Sequence, residues 1–199
     1  MVFGLGFLQR RAKGRDLRIR KVYDHLVLQA RLPDFYQSYQ VADTVSGRFD
    51  MIVLHAFLFF HRLKGEDDIA KEFGQEVFDI FFEDMDRSLR ELGVGYQAVP
   101  KRIKKMGEAF YGRVSAYDAA LDLALDSGDI SALSDALHRN IFPDDDAAPK
   151  AAASLANYMI ESVELLGACK LETLFEADFS LPNPDQFLLG STLKEGNYV

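Results

Sequence analysis

The chain has 199 residues, 48% of them apolar and 12% aromatic, so it can bury a hydrophobic core without help from a disulfide or a metal. Cys169 is the only cysteine, which excludes an intramolecular disulfide and disfavours a thiolate zinc site. The net charge of -8 disfavours non-specific nucleic-acid binding by the body of the chain, and we expect no specific DNA partner.

The first 15 residues form an amino-terminal arm, in which an apolar opening precedes a basic cluster. This composition suits an anionic membrane surface or ribosomal RNA, and a disordered terminus is the third possibility. The sequence leaves these three alternatives open. The residues predicted to face a membrane or a ribosome are Phe3, Phe7, Arg10, Arg11, Lys13 and Arg15.

Apolar residues recur at steps of three and four from residue 16 onward, which predicts helices and no strand. A first helix over about residues 16–31 should end before Pro33, which can open a short second helix. A third helix should begin near Thr44 or Ser46 and bury a wide apolar face in the middle of the bundle.

The fourth predicted helix covers residues 67–92, and the fifth begins at Pro100. A sixth covers residues 130–142, and a seventh begins near Asp145, with an acidic run at its positive end. One or two further turns could follow at residues 172–177. The predicted apolar stripes include Leu17, Ile69, Leu92 and Leu125.

These elements predict an all-α protein, a single-domain bundle of about seven helices with irregular crossing angles. The expected organisation is an arm over residues 1–15, a helical domain over residues 16–180 and an irregular tail over residues 181–199. No run of residues is long and apolar enough to predict a membrane-spanning helix.

Residue types that build catalytic or metal sites are present, but not at productive spacings. His25, His55, His61 and His138 fall on separate helices or faces, and no metal or haem motif results. No glycine-rich phosphate loop follows a strand. We therefore predict a protein without catalytic residues, metal, cofactor or small-molecule substrate, in which His55 is a hydrogen-bonded core residue.

Carboxylates are concentrated on the second half of the fourth helix, at Asp79, Glu83, Asp84 and Asp86. They could act as acid–base groups. The alternative, which we favour, is that Glu83 with Arg87 and Asp86 with Arg90 form pairs between neighbouring turns on a solvated face.

A basic group occupies the first turns of the fifth helix, where cations oppose the helix dipole. Its members are Lys101, Arg102, Lys104 and Lys105. This placement indicates either an external acidic partner or a salt-bridged seam with the acidic end of the preceding helix, and some of the four could simply be solvated.

Two glycines, Gly107 and Gly112, lie inside the same helix, although each costs roughly 1 kcal/mol relative to alanine. Phe110 and Tyr111 lie between them. The pattern predicts a close approach, either a binding groove with aromatic walls or a tight internal helix crossing.

The chain resembles the ubiquinol-cytochrome c reductase (respiratory complex III) assembly chaperone family, in the form of a bacterial member. The resemblance rests on residues 47–51 (Gly-Arg-Phe-Asp-Met), with 53–55 just beyond, on residues 82–95, on residues 99–106, and on residues 108–113 with 116–117. It extends over roughly residues 23–165, without the arm and the tail.

The resemblance implies an all-α, non-catalytic chaperone that binds newly synthesised cytochrome b and supports its haem loading and incorporation into the cytochrome bc complex. It implies a place in the cytoplasm, peripheral to the inner membrane. The residues that it and the charge pattern together predict as client-binding are Asp84, Asp86, Arg87, Arg90, Lys101, Lys104, Lys105, Tyr111, Arg113 and Tyr117.

Two other classes remain open from the residues alone. One is a helical peripheral-membrane or haem-handling adaptor, and the other is a small cofactor-free enzyme. A haem carrier would give a saturable Soret band with haemin, and an enzyme would need converging titratable groups in a pocket near His55 or Asp84.

Overall fold

A computed structural model describes residues 3–143 and 148–188, with side chains from residue 16 onward. The described part of the chain forms eight α-helices and one short 3-10 helix, and contains no strand. The helices are α1 Phe3–Ala30, α2 Pro33–Gln37, α3 Val45–Arg62, α4 Asp68–Glu91, α5 Val99–Ser127, α6 Ser131–Ile141, α7 Pro149–Ala168 and α8 Leu171–Phe175, followed by the 3-10 helix Pro184–Phe187. The predicted all-α bundle is confirmed.

Helix α3 forms the centre of the bundle and packs against α1, α5, α6 and α7. Every residue from Phe49 to Phe59 is buried, on all faces of the helix. Within this apolar run His55 lies between two partners: its Nδ1 donates to the Met51 carbonyl at 2.8 Å, and its Nε2 accepts from the Tyr158 hydroxyl at 2.9 Å. Burial lowers the pKa of His55 to about 4, so the ring is neutral. The predicted core role of His55 is confirmed.

Local capping chemistry fixes where the central helices begin and end. The Thr44 and Asp67 side chains accept the amides of Gly47 and Ala70, three residues later, at the starts of α3 and α4. At the end of α5, Gly128 adopts a left-handed conformation with φ 74°, which a residue with a side chain rarely adopts.

The carboxyl ends of α3 and α7 are joined by one arginine. The Arg62 guanidinium donates to the Leu166 carbonyl at 2.9 Å and to the Cys169 carbonyl at 3.0 Å, and it also pairs with Glu66. The Leu166 carbonyl also accepts from the Cys169 amide at 3.1 Å, so Arg62 adds a second donor there, satisfies the Cys169 carbonyl and neutralises the negative end of the α7 dipole.

The helix bounds differ from the sequence prediction at two places. Helix α1 begins at Phe3 rather than near Asp16, because residues 3–15 contain no proline that would end the helix. Helix α7 begins at Pro149, a proline that the prediction overlooked at a favoured first position. The predicted acidic cap of α7 at residues 144–146 lies outside the described residues.

Four residues predicted on apolar stripes are in fact exposed: Leu17, Ile69, Leu92 and Leu125. Each lies near a helix end or on the flank of a stripe, where no second helix covers it. Within the described tail, residues 184–187 form a 3-10 turn, and the Tyr39 hydroxyl donates to the Pro184 carbonyl at 2.6 Å. None of the described helices has the length and apolarity needed to cross a bilayer.

Among the helical glycines whose surroundings the structure describes, the closest approach occurs at Gly47, not at the glycines of α5. A Cβ on Gly47 would lie 2.0 Å from the Ala42 carbonyl oxygen, inside van der Waals contact. A Cβ on Gly107 would only touch the Phe82 ring at 3.8 Å, and one on Gly112 would meet nothing within 4 Å. The predicted close approach at Gly112 is therefore wrong, whereas Gly47 allows the loop before α3 to pack onto the first turn.

We predict opposite stability effects for two glycine substitutions. Gly47→Ala should lower the free energy of unfolding by about 1–3 kcal/mol, because the Ala42 backbone must move. Gly112→Ala should raise it by up to about 1 kcal/mol, because the site is open and alanine favours the helix. Urea denaturation followed by circular dichroism measures both, and a stable Gly47→Ala variant would contradict the packing described.

Candidate functional site

Three of the segments that support the family resemblance meet at one end of the bundle. The start of α3, the end of α4 and the early turns of α5 enclose a groove of about 400 Å³, which we call the motif groove. Its lining residues are Arg31, Val45, Arg48, Phe49, Ile52, Met85, Ser88, Leu89, Glu91, Leu92 and Met106.

The motif groove has an apolar floor and a charged rim. Phe49, Met85 and Leu89 are buried in the floor, and the rim contains Arg31 and Arg48. The Arg48 Nε atom lies 2.6 Å from the Asp43 carboxylate in an exposed pair. Methionine side chains adapt to ligands of varied shape, so this floor can accept an apolar segment, while the arginines can orient it by charge.

None of these groove residues was predicted as a site residue. Met85 and Leu89 follow the apolar stripe of α4, and a stripe indicates core, without showing that it ends in an open groove. Arg31 comes from the end of α1, far from the other motifs in sequence. Only the tertiary arrangement brings it to the rim.

The predicted charged contacts on α4 divide between two faces. Asp86 and Arg90 form the predicted pair, at 2.5 and 3.0 Å, and hydrogen bonding to Arg90 holds the pKa of Asp86 below its ordinary value. Arg87 pairs with Asp84, three residues earlier, instead of the predicted Glu83. The Arg90 guanidinium also lies over the exposed Tyr96 ring, 5.2 Å from its centroid.

Asp84 faces α1 and fixes its packing. The Tyr23 hydroxyl donates to the Asp84 carboxylate at 2.7 Å, and burial together with this bond raises the pKa of Tyr23. With its other oxygen engaged by Arg87, Asp84 has little capacity left for a client. The structure thus assigns Asp84 a role in joining α1 to α4.

The Tyr23–Asp84 bond can be tested with a double-mutant cycle of Tyr23→Phe and Asp84→Asn. A hydrogen bond to a half-buried carboxylate should give a coupling of about 1–2 kcal/mol in the free energy of unfolding. The exposed pair Asp86–Arg90, treated by Asp86→Asn and Arg90→Gln, serves as the control and should couple less. Equal coupling in both cycles would argue against a structural role for Asp84.

Arg113 and Tyr117 belong to the interior rather than to the surface. The Arg113 guanidinium lies 2.8 Å from the Asp50 carboxylate of α3, and it also approaches the Phe49 ring at 5.9 Å. Tyr117 is fully buried. The prediction of Tyr117 as a client contact is therefore wrong, because the helical stripe that Tyr117 shares with Phe110 faces the core.

Asp50, Arg113 and Tyr117 form a buried polar cluster between α3 and α5. The Asp50 Oδ1, Arg113 Nε and Tyr117 hydroxyl atoms have no hydrogen-bond partner among the described residues, although Asp50 and Arg113 are in ionic contact. Burial raises the pKa of Asp50 to about 6, against the opposing charge of Arg113. The charges thus join the two helices at an energetic cost.

This pKa predicts how stability depends on pH. The folded pKa of Asp50, about 6, lies above the ordinary 3.8, so folding favours the protonated carboxyl. The stability that Asp50 contributes in this form is fully present below about pH 4 and is lost as the pH rises to 6. Between pH 4 and 7, Asp50→Asn should gain up to about 3 kcal/mol in unfolding free energy relative to the unsubstituted protein. Chemical denaturation at each pH measures the free energy of unfolding of both proteins. If the two plots of this free energy against pH are parallel, the prediction is wrong.

The predicted basic group is exposed at the start of α5. Lys101, Arg102 and Lys105 have no ion pair within the described residues, and Lys104 lies 3.8 Å from Glu108 of its own helix. The alternative of a salt-bridged seam with α4 is therefore not observed. These cations remain available to an external anionic partner.

Tyr111 lines a second groove, between the end of α3, the start of α4 and the middle of α5. This groove has a volume of about 450 Å³, with Phe60, Phe78 and Phe110 packed around it and Lys64 and Asp118 paired at its edge, 2.8 Å apart. The predicted aromatic walls around Phe110 and Tyr111 thus exist, at the opposite end of α4 from the motif groove.

Other predicted features lie outside these grooves. The backbone of residues 3–15 is part of α1, but the predicted contacts of the arm concern side chains outside the described set. Among the described residues, no three His, Cys, Asp or Glu side chains form a cluster that could hold a metal ion.

The sequence of the chain was compared with known protein families. Residues 37–181 match the model of the ubiquinol-cytochrome C chaperone family. The chain belongs to this family. The match includes the three segments that enclose the motif groove, so the predicted resemblance is confirmed.

Relatives of this chaperone are found in both animals and bacteria. It is 25% identical over 154 residues to the mouse ubiquinol-cytochrome c reductase complex assembly factor 1, covering 77% of the chain and 50% of the relative. For the Xenopus laevis factor the identity is 22%, covering 77% of the chain and 74% of the relative. The chain spans about half the length of the mouse relative.

A solved bacterial structure shows the same architecture. The crystal structure of the Cbp3 homolog from Brucella abortus is 43% identical, with a TM-score of 0.80, covering 92% of the chain and 98% of that structure. The chain therefore shares its fold with a bacterial member of the family.

Proposed function

We propose that this protein is a non-catalytic assembly chaperone that binds newly synthesised cytochrome b and supports its haem loading and incorporation into the cytochrome bc complex. Family membership supports a role in complex III assembly. The observation that points to the client site is the convergence of three motif segments on the motif groove. We place the protein in the cytoplasm, peripheral to the inner membrane.

The motif groove suits a segment of a newly made membrane protein that is not yet covered by the partner subunits of that protein. Its floor offers apolar contacts from Phe49, Met85 and Met106, which can anchor a few large side chains. Its rim offers Arg31, Arg48 and Glu91, which can fix the direction of the segment through charge. Such a site binds by shape and polarity without needing any reactive group.

The predicted contacts are revised by their surroundings. Asp86, Arg87 and Arg90 lie on the solvated side of α4 beside the groove and remain proposed client contacts. Asp84 and Arg113 are engaged inside the bundle, and we propose that they position α4 and α5 rather than touch the client. Tyr111 lines the second groove and remains a proposed contact there.

The test is co-purification of cytochrome b with a double variant, Arg31→Glu with Val45→Asp. Both residues are exposed on the rim of the motif groove, so the bundle should fold normally while the groove loses a cation and an apolar edge. We expect the variant to recover at least tenfold less cytochrome b from cells that synthesise the complex.

The matched control is Lys150→Glu with Leu123→Asp, which makes the same change of charge and apolarity at exposed positions away from the groove. It should recover as much cytochrome b as the unsubstituted protein. If the two double variants, both folded by circular dichroism, recover equal amounts, the motif groove is not the client site.

A further inference from the structure

The turn between α4 and α5 exposes apolar side chains that nothing in the described chain covers. We call residues 92–98 the hairpin tip. Leu92 is 61% exposed and Tyr96 is 80% exposed, the largest value among the large apolar side chains of the described residues. The Arg90 guanidinium stacks on the Tyr96 ring at 5.2 Å, which holds this ring at the surface.

A group of cations follows the hairpin tip directly. Lys101, Arg102 and Lys105 are exposed and have no ion pair in the part of the chain that the structure describes. The nearby arginines of α4, by contrast, are neutralised by Asp84 and Asp86. Within the α4–α5 hairpin, the unpaired positive charge therefore lies at the beginning of α5.

The cations and the apolar side chains form one surface. Buried Val99 fixes the start of α5, and the rise of 1.5 Å per residue places Lys101 and Lys105 within about 10 Å of the tip along the helix axis. Lys101 and Lys105 are four residues apart, so they share one face of the helix. That face points away from the core, since the buried Phe110 and Tyr117 occupy the opposite stripe.

The shape of this surface favours a lipid bilayer over a protein segment. Tyr96 protrudes from a turn and has no facing wall, and Leu92 is exposed at the edge of the motif groove, whereas a helix of a partner would be held inside a concave groove. Tyrosine and leucine side chains enter the headgroup region, while lysine and arginine side chains meet the phosphates. The net charge of -8 means that most other faces would be repelled by the same bilayer.

We propose that the hairpin tip docks on an anionic membrane surface, with Leu92 and Tyr96 in the headgroup region and Lys101, Arg102 and Lys105 on lipid phosphates. This surface is separate from the predicted amino-terminal arm. The proposal does not depend on the client being cytochrome b. It places the motif groove, which shares Leu92 with the tip, next to the bilayer.

An environment-sensitive fluorophore on the tip of the full-length protein tests the proposal. In a Cys169→Ser background, Gln97→Cys labelled with a nitrobenzoxadiazole dye leaves Leu92, Tyr96 and the cations intact. The emission should shift to the blue with vesicles containing phosphatidylglycerol, and not with pure phosphatidylcholine. The same dye on Leu123→Cys, about 36 Å along α5, should not shift.

Charge removal supplies the second measurement. Lys101→Gln with Lys105→Gln should weaken the apparent vesicle affinity of the tip-labelled protein by roughly 25-fold, from about fivefold per cation. The matched control, Lys150→Gln with Lys170→Gln, removes two exposed cations elsewhere and should weaken it by less than threefold.

Three outcomes would overturn the proposal. They are no shift of the Gln97 label with anionic vesicles, equal effects of the two double variants, and a shift caused by polyglutamate but by no vesicle. The last result would assign the surface to an acidic protein partner. Co-purification of cytochrome b is measured separately, so either proposal can fail while the other stands.

Discussion

Helix α3 is buried on all of its faces, and the positions of the other helices follow from this burial. A helix with apolar residues all around must be surrounded, so α1, α5, α6 and α7 pack against it and bury a continuous core. The polar groups that remain inside α3, those of Asp50 and His55, each contact a side chain from a different helix. These polar contacts select one arrangement of the helices, which apolar burial alone does not specify.

The grooves are products of this arrangement. Because α4 and α5 pack on α3 and on each other through Phe78, Phe82 and Phe110, their two ends are left with gaps instead of a continuous seam. One gap is the motif groove and the other is lined by Tyr111. Binding surfaces of this kind need no strained backbone or unusual chemistry, only helices whose ends are not covered.

The periodicity of the sequence was sufficient for the helices, since steps of three and four and prolines at helix starts act locally. The periodicity did not show which residues on the flanks of a helix are covered by a neighbouring helix. Ile69 and Leu92 continue the apolar stripe of α4 and are nevertheless exposed, because coverage depends on how far the neighbouring helix extends. Proline at the start of α7 was missed because an acidic run appeared to be the stronger start signal.

The site was predictable where charge acts within one helix, and not where it acts between helices. The pair Asp86–Arg90 follows from spacing alone. The partners of Asp84 and Arg113 lie 61 and 63 positions away, at Tyr23 and Asp50, and no local pattern reveals them. Tyr117 could not be assigned from local sequence for the same reason. Its ring is buried, whereas Val114, one turn earlier on the same helix, lines the second groove.

The Arg62 contacts with the Leu166 and Cys169 carbonyls have a consequence for local motion. They join the carboxyl ends of two buried helices, so the backbone amides of α3 and α7 should exchange with solvent only when the whole domain opens. The turn at residues 92–98 lacks such a clamp and can open alone. Rigidity is thus concentrated in α3 and α7, and the turn at residues 92–98 is free to adjust to a partner.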